Sequence, residues 1–271
     1  MDEHTTQNLD QLLEAVLASS KYRYVDSDFI RSIGAGELGK RRNLKEAIKA
    51  TKNKLHQVGG AYQQDEPRYA RWLDELRRAT RREERAQVLA VCKDIMSRHA
   101  STRERLPLLE DFYSTILAEI APVRSVIDIA CGLHPLAIPW MPLAENARYY
   151  AYDIYSDMMD FLEACFSCLH VQGEARVCDV IHACPTQRAD VAFLLKAIPC
   201  LEQVDKSAGL RLLETINADH LVVSFPAASL GGRNKGMVMN YEAHFVEVIR
   251  DKNWSMKRFV FPTELVFLIS K

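Results

Sequence analysis

Ile127 to Pro139 read "IDIACGLHPLAIP", a β-branched apolar run that ends in an acid and then a turn. This is the look of a strand feeding a nucleotide-cofactor loop, but only one glycine, Gly132, stands ahead of His134 and Pro135. A dinucleotide loop takes three glycines so that the backbone can approach a pyrophosphate at a helix N-terminus. One glycine does not make that fingerprint, so the neighbouring segments must decide the fold.

Downstream of Ser125 the chain alternates short apolar runs with helical stretches: "SVIDIAC", "RYYAYDI", "ARVCDVI", "VAFLLKAI" and "HLVVSFP". Five strand–helix alternations predict a parallel sheet with helices on both faces. The last two runs, "WSMKRFVF" and "ELVFLIS", are separated only by Pro262 and Thr263, too few residues for a crossover, so they must form an antiparallel edge hairpin. An α/β sheet that ends in such a hairpin fits the class I S-adenosylmethionine-dependent methyltransferase fold, which is Rossmann-like, better than a dehydrogenase. The single glycine then makes sense, because a sulfonium nucleoside has no pyrophosphate.

Upstream, the periodicity is helical. Leu9, Leu12, Leu13, Val16 and Leu17 recur at three and four, as do Leu44, Ala47, Ile48 and Leu55. Helices are expected over 6–20, 43–62, 67–100 and 102–120, with Gly59, Gly60 and Pro67 marking turns. Two domains follow: an all-α N-terminal domain over 1–122 and the sheet domain over 123–271.

The 271 residues, 48% hydrophobic and 26% charged, suit a globular protein of this size. No apolar run approaches the roughly 18 residues of a membrane span, and the acidic start "MDEH" is unlike a secretory signal, so a soluble, cytoplasmic protein away from membranes is expected. Seven cysteines between Cys92 and Cys200 read as reduced thiols. Cys165 and Cys168 form a CxxC inside the helical "MMDFLEACFSCLHV", without the turn of a zinc knuckle, so buried thiols are expected and no metal. A net charge of −1 conceals a basic stretch, Lys21 to Lys54, with ten cations and four acids. That is the footprint of a surface meeting a polyanion, although a solvated helix face reads similarly.

Ligands of open α/β sheets bind beyond the carboxyl ends of the strands. Asp128 lies near the end of the first, Asp153 closes the second and Asp179 the third. An acid after strand two suits ribose hydroxyls, and one after strand three an adenine amine. Lys196 ends an apolar strand, a costly place for an unpartnered ammonium. "HASTRER", His99 to Arg105, interrupts the helices; Ser101 or Thr102 can cap the next one with Glu104 at the reciprocal position, but a cap needs neither Arg103 nor Arg105. "SFPAASLGGRNKGM", Ser224 to Met237, combines glycines with Arg233 and Lys235, which suits a nucleic-acid backbone.

Together with "KYR" at Lys21, "KLHQVGGAY" at Lys54, "HASTRERL" at His99, "DIACGLHPLA" at Asp128 and "TEL" at Thr263, these segments resemble the aminoglycoside-resistance 16S ribosomal RNA (guanine-N7) methyltransferases. The resemblance runs nearly the whole chain in order. It departs at His134, where asparagine is expected, and in the looser "KAIPCLE".

It implies methyl transfer from S-adenosyl-L-methionine to N7 of a guanine in the decoding A site of 16S rRNA, within the 30S subunit, by a monomer. The cofactor would be held by Tyr62, His99, Ser101, Thr102, Arg105, Ala130, Gly132, Asp153, Ile154, Asp179, Val180 and Leu195. Lys196 would act at the target base, and Lys21, Arg23, Lys52, Lys54, Arg233 and Lys235 would contact RNA. Guanine N7 carries an in-plane lone pair and no proton, so the reaction asks for no general base. Two alternatives remain at this level: a methyltransferase for another rRNA site such as adenine N1, and a non-catalytic RNA-binding or ribosome-assembly module with a relict fold.

Overall fold

The computed structural model describes residues 3–62, 67–227 and 236–271. Helices come first: α1 (Glu3–Leu17), α2 (Ser27–Leu38), α3 (Leu44–Leu55), α4 (Tyr69–Arg81), α5 (Arg85–Met96), α6 (Ala100–Arg105) and α7 (Leu109–Leu117). The α1 stripe buries Leu9, Leu12 and Val16, as its spacing requires. α2 has no counterpart in the sequence reading, because Gly34 and Gly36 weaken its helical pattern. Asp26 caps it, accepting from Phe29 N at 2.8 Å. Gly34 lets α1 approach, since a Cβ there would come within 2.6 Å of Leu12 Cδ2.

Two helical expectations need correction. The stretch over 67–100 is two helices, broken at Glu83, whose backbone is left-handed at φ 55°. Neither Ser101 nor Thr102 caps the next helix. His99 occupies the cap position without a side-chain bond, and α6 begins at Ala100.

The sheet follows, with β1 (Val123–Ile129), β2 (Leu143–Asp153), α8 (Ser156–Leu169), β3 (Gln172–Val177), β4 (Ala189–Leu195), α9 (Ile198–Val204), α10 (Ala208–Thr215), β5 (Ala218–Pro226), α11 (Met237–Val248), β6 (Ser255–Val260) and β7 (Glu264–Ser270). Its order is β3-β2-β1-β4-β5-β7-β6. The first five strands are parallel and β7 runs antiparallel to both β5 and β6. The expected hairpin is present, closed by reciprocal backbone bonds between Phe261 and Glu264. The strand–helix alternation is less regular than expected. Residues 178–188 join β3 to β4 without a helix, and a 3-10 segment, His134–Trp140, replaces the helix after β1, because Pro139 removes a donor inside it. Among the described residues no helix is long and apolar enough to cross a membrane.

β1 and β4 are buried along most of their length and β3 and β6 form the exposed edges. A polar network around Asp128 is built into this core. Asp128 Oδ2 accepts from Tyr149 Oη at 2.8 Å and pairs with His134 Nδ1 at 2.7 Å. His134 Nε2 in turn meets Tyr113 Oη at 2.8 Å, and all four side chains are buried. His134 thus fastens β1 to α7 through its two ring nitrogens. Tyr149→Phe removes one donor from a buried carboxylate and should lower unfolding stability by roughly 1–3 kcal/mol. The urea midpoint, at unchanged slope, measures it.

Candidate active site

Chain direction across the sheet reverses between β1 and β4, so the crevice at their carboxyl ends is the topological switch point. The backbone is left-handed at Ala130 and Gly132 after β1 and at Lys196 after β4, with φ between 50° and 59°. For Ala130 and Lys196 this costs about 1–2 kcal/mol each and persists only where the surroundings impose it. The crevice opens into a cleft of about 950 Å³, counted out into solvent.

Most of the side chains singled out in the sequence converge on this cleft. Ala130 and Gly132 line it from the β1 loop, Asp153 and Ile154 from the end of β2, and Leu195 and Lys196 from the end of β4. Asp179 and Val180 reach it from two and three residues beyond β3. The helical region supplies Tyr62, His99, Ser101 and Arg105, together with Phe29 and Val58, which the sequence reading did not flag. Thr102 is not on the lining: its buried hydroxyl donates to Met96 O at 2.6 Å and His99 O at 3.1 Å.

Gly132 is required by close packing. A Cβ there would sit 2.8 Å from His99 Cε1. His99 is stacked on Tyr62, with ring centroids 5.9 Å apart. Burial, reinforced by Arg105, Lys196 and Arg103, pulls its pKa down to about 4, so the ring is neutral. Asp153 Oδ2 accepts from Gly132 N at 2.9 Å and Oδ1 from Ile154 N at 2.7 Å. Burial nevertheless raises the Asp153 carboxyl to about 6, against the opposing pull of those two bonds. Asp179 accepts from Ile181 N and meets His182 Nδ1 at 2.6 Å, and His182 Nε2 reaches Ser32 of α2 at 3.0 Å.

Below the cleft lies a buried ion cluster whose members are far apart in the chain. Arg105 Nη2 lies 2.8 Å from both carboxylate oxygens of Glu264, with Arg105 1% and Glu264 0% exposed. Ser224 Oγ also donates to Glu264, at 2.8 Å, and Lys196 Nζ lies 3.5 Å away. Burial alone would raise the Glu264 carboxyl, but Arg105 and Lys196 outweigh it and hold it below the usual range. Lys196 Nζ also donates to Glu104 Oε2 at 2.5 Å. In the sequence Glu264 stands within "TEL" and opens the apolar run "ELVFLIS", with no role assigned to it.

Four buried polar atoms of cleft-lining residues have no partner among the described residues: Arg105 Nε, His99 Nδ1, Asp128 Oδ1 and Tyr155 Oη. A guanidinium donor and a carboxylate acceptor left open together fit the zwitterionic end of an amino acid.

Of the cations assigned to RNA, Lys21, Arg23, Lys52 and Lys54 lie off the cleft lining. Lys21 Nζ is 2.9 Å from His56 Nδ1 and Arg23 lies over the Tyr24 ring. Lys54 Nζ donates to Gln203 O at 3.3 Å and sits 3.8 Å from Glu37, bracing α3 against the loop end of α9, so its charge is already engaged. Arg233 and Lys235 lie outside the described residues.

A sheet of this order, closed by an antiparallel hairpin, with acids after β2 and β3 and a zwitterion-shaped gap at the switch point, defines a Rossmann-like methyltransferase. Residues 18–268 match the family described as ribosomal RNA methyltransferase (FmrO). The chain belongs to that family, and it is a methyltransferase. It is 35% identical to a 16S rRNA (guanine(1405)-N(7))-methyltransferase of Micromonospora rosea over 265 residues, 97% of each chain. A Serratia marcescens enzyme of the same name is 33% identical over 264 residues, 97% of this chain and 99% of its own. Among solved structures, 16S rRNA methyltransferase RmtF in complex with S-adenosyl-L-homocysteine superposes with a TM-score of 0.79 at 32% identity, covering 100% and 99% of the two chains. The 16S rRNA methylase RmtB superposes at 0.78 with 28% identity, covering 97% and 98%.

Removing Glu264 would leave Arg105 as an unpaired buried charge. Glu264→Ala should therefore destabilise the fold by roughly 3–5 kcal/mol. Chemical denaturation checks this, and a loss under 1 kcal/mol would show that the pair contributes little.

Proposed function

We propose that this chain transfers a methyl group from S-adenosyl-L-methionine to N7 of the guanine that its relatives' names number 1405 in 16S rRNA, and so confers aminoglycoside resistance. What carries the reading is the convergence of Arg105, Gly132, Asp153 and Asp179, far apart in sequence, on one cleft at the switch point. Arg105 Nε would receive the methionine carboxylate and Asp128 Oδ1 the ammonium, the two open atoms described above. Asp153 would take the ribose hydroxyls and Asp179 the adenine amine, while Tyr62, His99, Ser101 and the apolar Ala130, Ile154, Val180 and Leu195 enclose them. Thr102 would act from behind, holding the His99 turn through its backbone bonds.

Bound S-adenosylmethionine supplies a sulfonium-activated methyl group. The protein's part is to hold the base in line with it and exclude water. A guanine inside an rRNA helix must be flipped out, at a cost of a few kcal/mol offset by RNA contacts. Lys196, at the end of β4 on the cleft wall, would hold that base. Lys21, Arg23 and Lys52, with Arg233 and Lys235, would meet rRNA phosphates, the helical region docking by shape on the folded small subunit. The chain would act in the cytoplasm as a monomer.

Expression in a susceptible bacterium should give high resistance to gentamicin and kanamycin with sensitivity to apramycin. Borohydride–aniline cleavage of its 16S rRNA should map to the one guanine. Lys196→Ala should bind S-adenosylhomocysteine normally yet lose both effects; the reverse antibiotic pattern would point to adenine N1.

Cofactor binding should also depend on pH. The ribose hydroxyls need an ionised Asp153, whose pKa of about 6 in the folded protein means that protons compete below that value. The Kd for S-adenosylhomocysteine should rise about tenfold between pH 7 and pH 5. Asp153→Asn should bind more weakly at pH 7 and show no such slope in calorimetric titration.

A further inference from the structure

A second cavity, of about 620 Å³, adjoins the cofactor cleft. The two share Tyr62, Ser101, Lys196 and Cys200, whereas Glu104 lines the second alone. Pro226 at the end of β5 and Tyr241 of α11 form part of its farther wall. On the reading proposed above, on which this inference rests, it is the space for the flipped base.

Glu104 has the placement of a recognition group. Its side chain is 29% exposed, against 5% for Lys196, and only Oε2 is engaged, by Lys196 Nζ. Among the described residues nothing donates to Oε1. An ammonium already compensated by buried Glu264 at 3.5 Å has less need of a second carboxylate for stability alone. The pair presents a donor and an acceptor side by side to the cavity.

We propose that Glu104 and Lys196 together select guanine, Lys196 donating to O6 while Glu104 accepts from N1–H and the N2 amine. The order of groups on the two partners agrees. Along the edge of guanine run N2, N1, O6 and then N7; along the wall run Glu104, then Lys196, then the cofactor cleft that Lys196 also lines. Pairing the first three leaves N7 on the cleft side. The negative carboxylate also favours a base that gains positive charge on methylation. Adenine reverses the match, setting its N6 amine against the ammonium and its bare N1 against the carboxylate. A site built to hydrogen-bond one substrate rejects an analogue that leaves its groups unpaired.

The test compares small subunits reconstituted with guanine or with inosine at the target nucleotide. Inosine keeps O6, N1–H and N7 but lacks the N2 amine. Wild-type kcat/KM should fall about 10- to 100-fold from guanine to inosine. Glu104→Gln should be slower on guanine but lose less than threefold further on inosine, with its Kd for S-adenosylhomocysteine within threefold of wild type. Glu104→Asp, which keeps the carboxylate, should retain part of the preference. A wild type indifferent to inosine, or a Glu104→Gln protein with the full wild-type preference, overturns the proposal. Absence of methylation even on guanine subunits by the wild type would instead overturn the reading of the site, and this inference with it.

Discussion

Two opposite charges, on Arg105 and Glu264, sit where solvent does not reach, and each is tolerable only because of the other. Arg105 ends α6 in the helical region and Glu264 opens β7, 159 residues later. Their pairing therefore seats the helical region on the last strand of the sheet. It also fixes the ends of two further strands: Ser224 of β5 donates to Glu264, and Lys196 after β4 lies within ion-pair distance. With that geometry set, Arg105 lines the cleft while its buried Nε has no partner among the described residues. The same side chain is thus a structural counter-ion and an unpaired donor, whereas water would compete for both roles at the surface.

The cleft is composite for a related reason. Strand ends supply the acids, but the helical region forms the opposite wall, and it is fastened close to the cofactor loops. Asp26 N bonds Ile154 O, Val25 bridges Tyr155, and Ser32 reaches Asp179 through His182. The helical region and the strand ends thus line one cleft together.

How much of this was legible in the sequence depended on range. The succession of strands, the edge hairpin and the acids after β2 and β3 follow from local patterning, because an apolar run, its turn residues and its terminal acid are neighbours along the chain. α2 was hidden because Gly34, needed for close packing on α1, and Gly36 dilute its periodicity. The break at Glu83 was hidden because no glycine or proline marks it. Glu264, quoted within "TEL" but given no role, looks like any acid beside a strand until its partners are known. His134 is similar: as a substitution in a loop it made no sense, and as the link between Asp128 and Tyr113 it does.

The sequence by itself determined the class of fold and, through the single glycine of "IDIACGLHPLAIP", the absence of a pyrophosphate fingerprint, since both are properties of contiguous residues. Tertiary structure decided why that glycine is there, because the His99 ring that excludes a Cβ arrives from the helical region, 33 residues earlier in the chain. It decided, too, which charges are paired and which atoms are left open to a ligand. Pairing energies depend on distance and burial, and neither is a property of chain position.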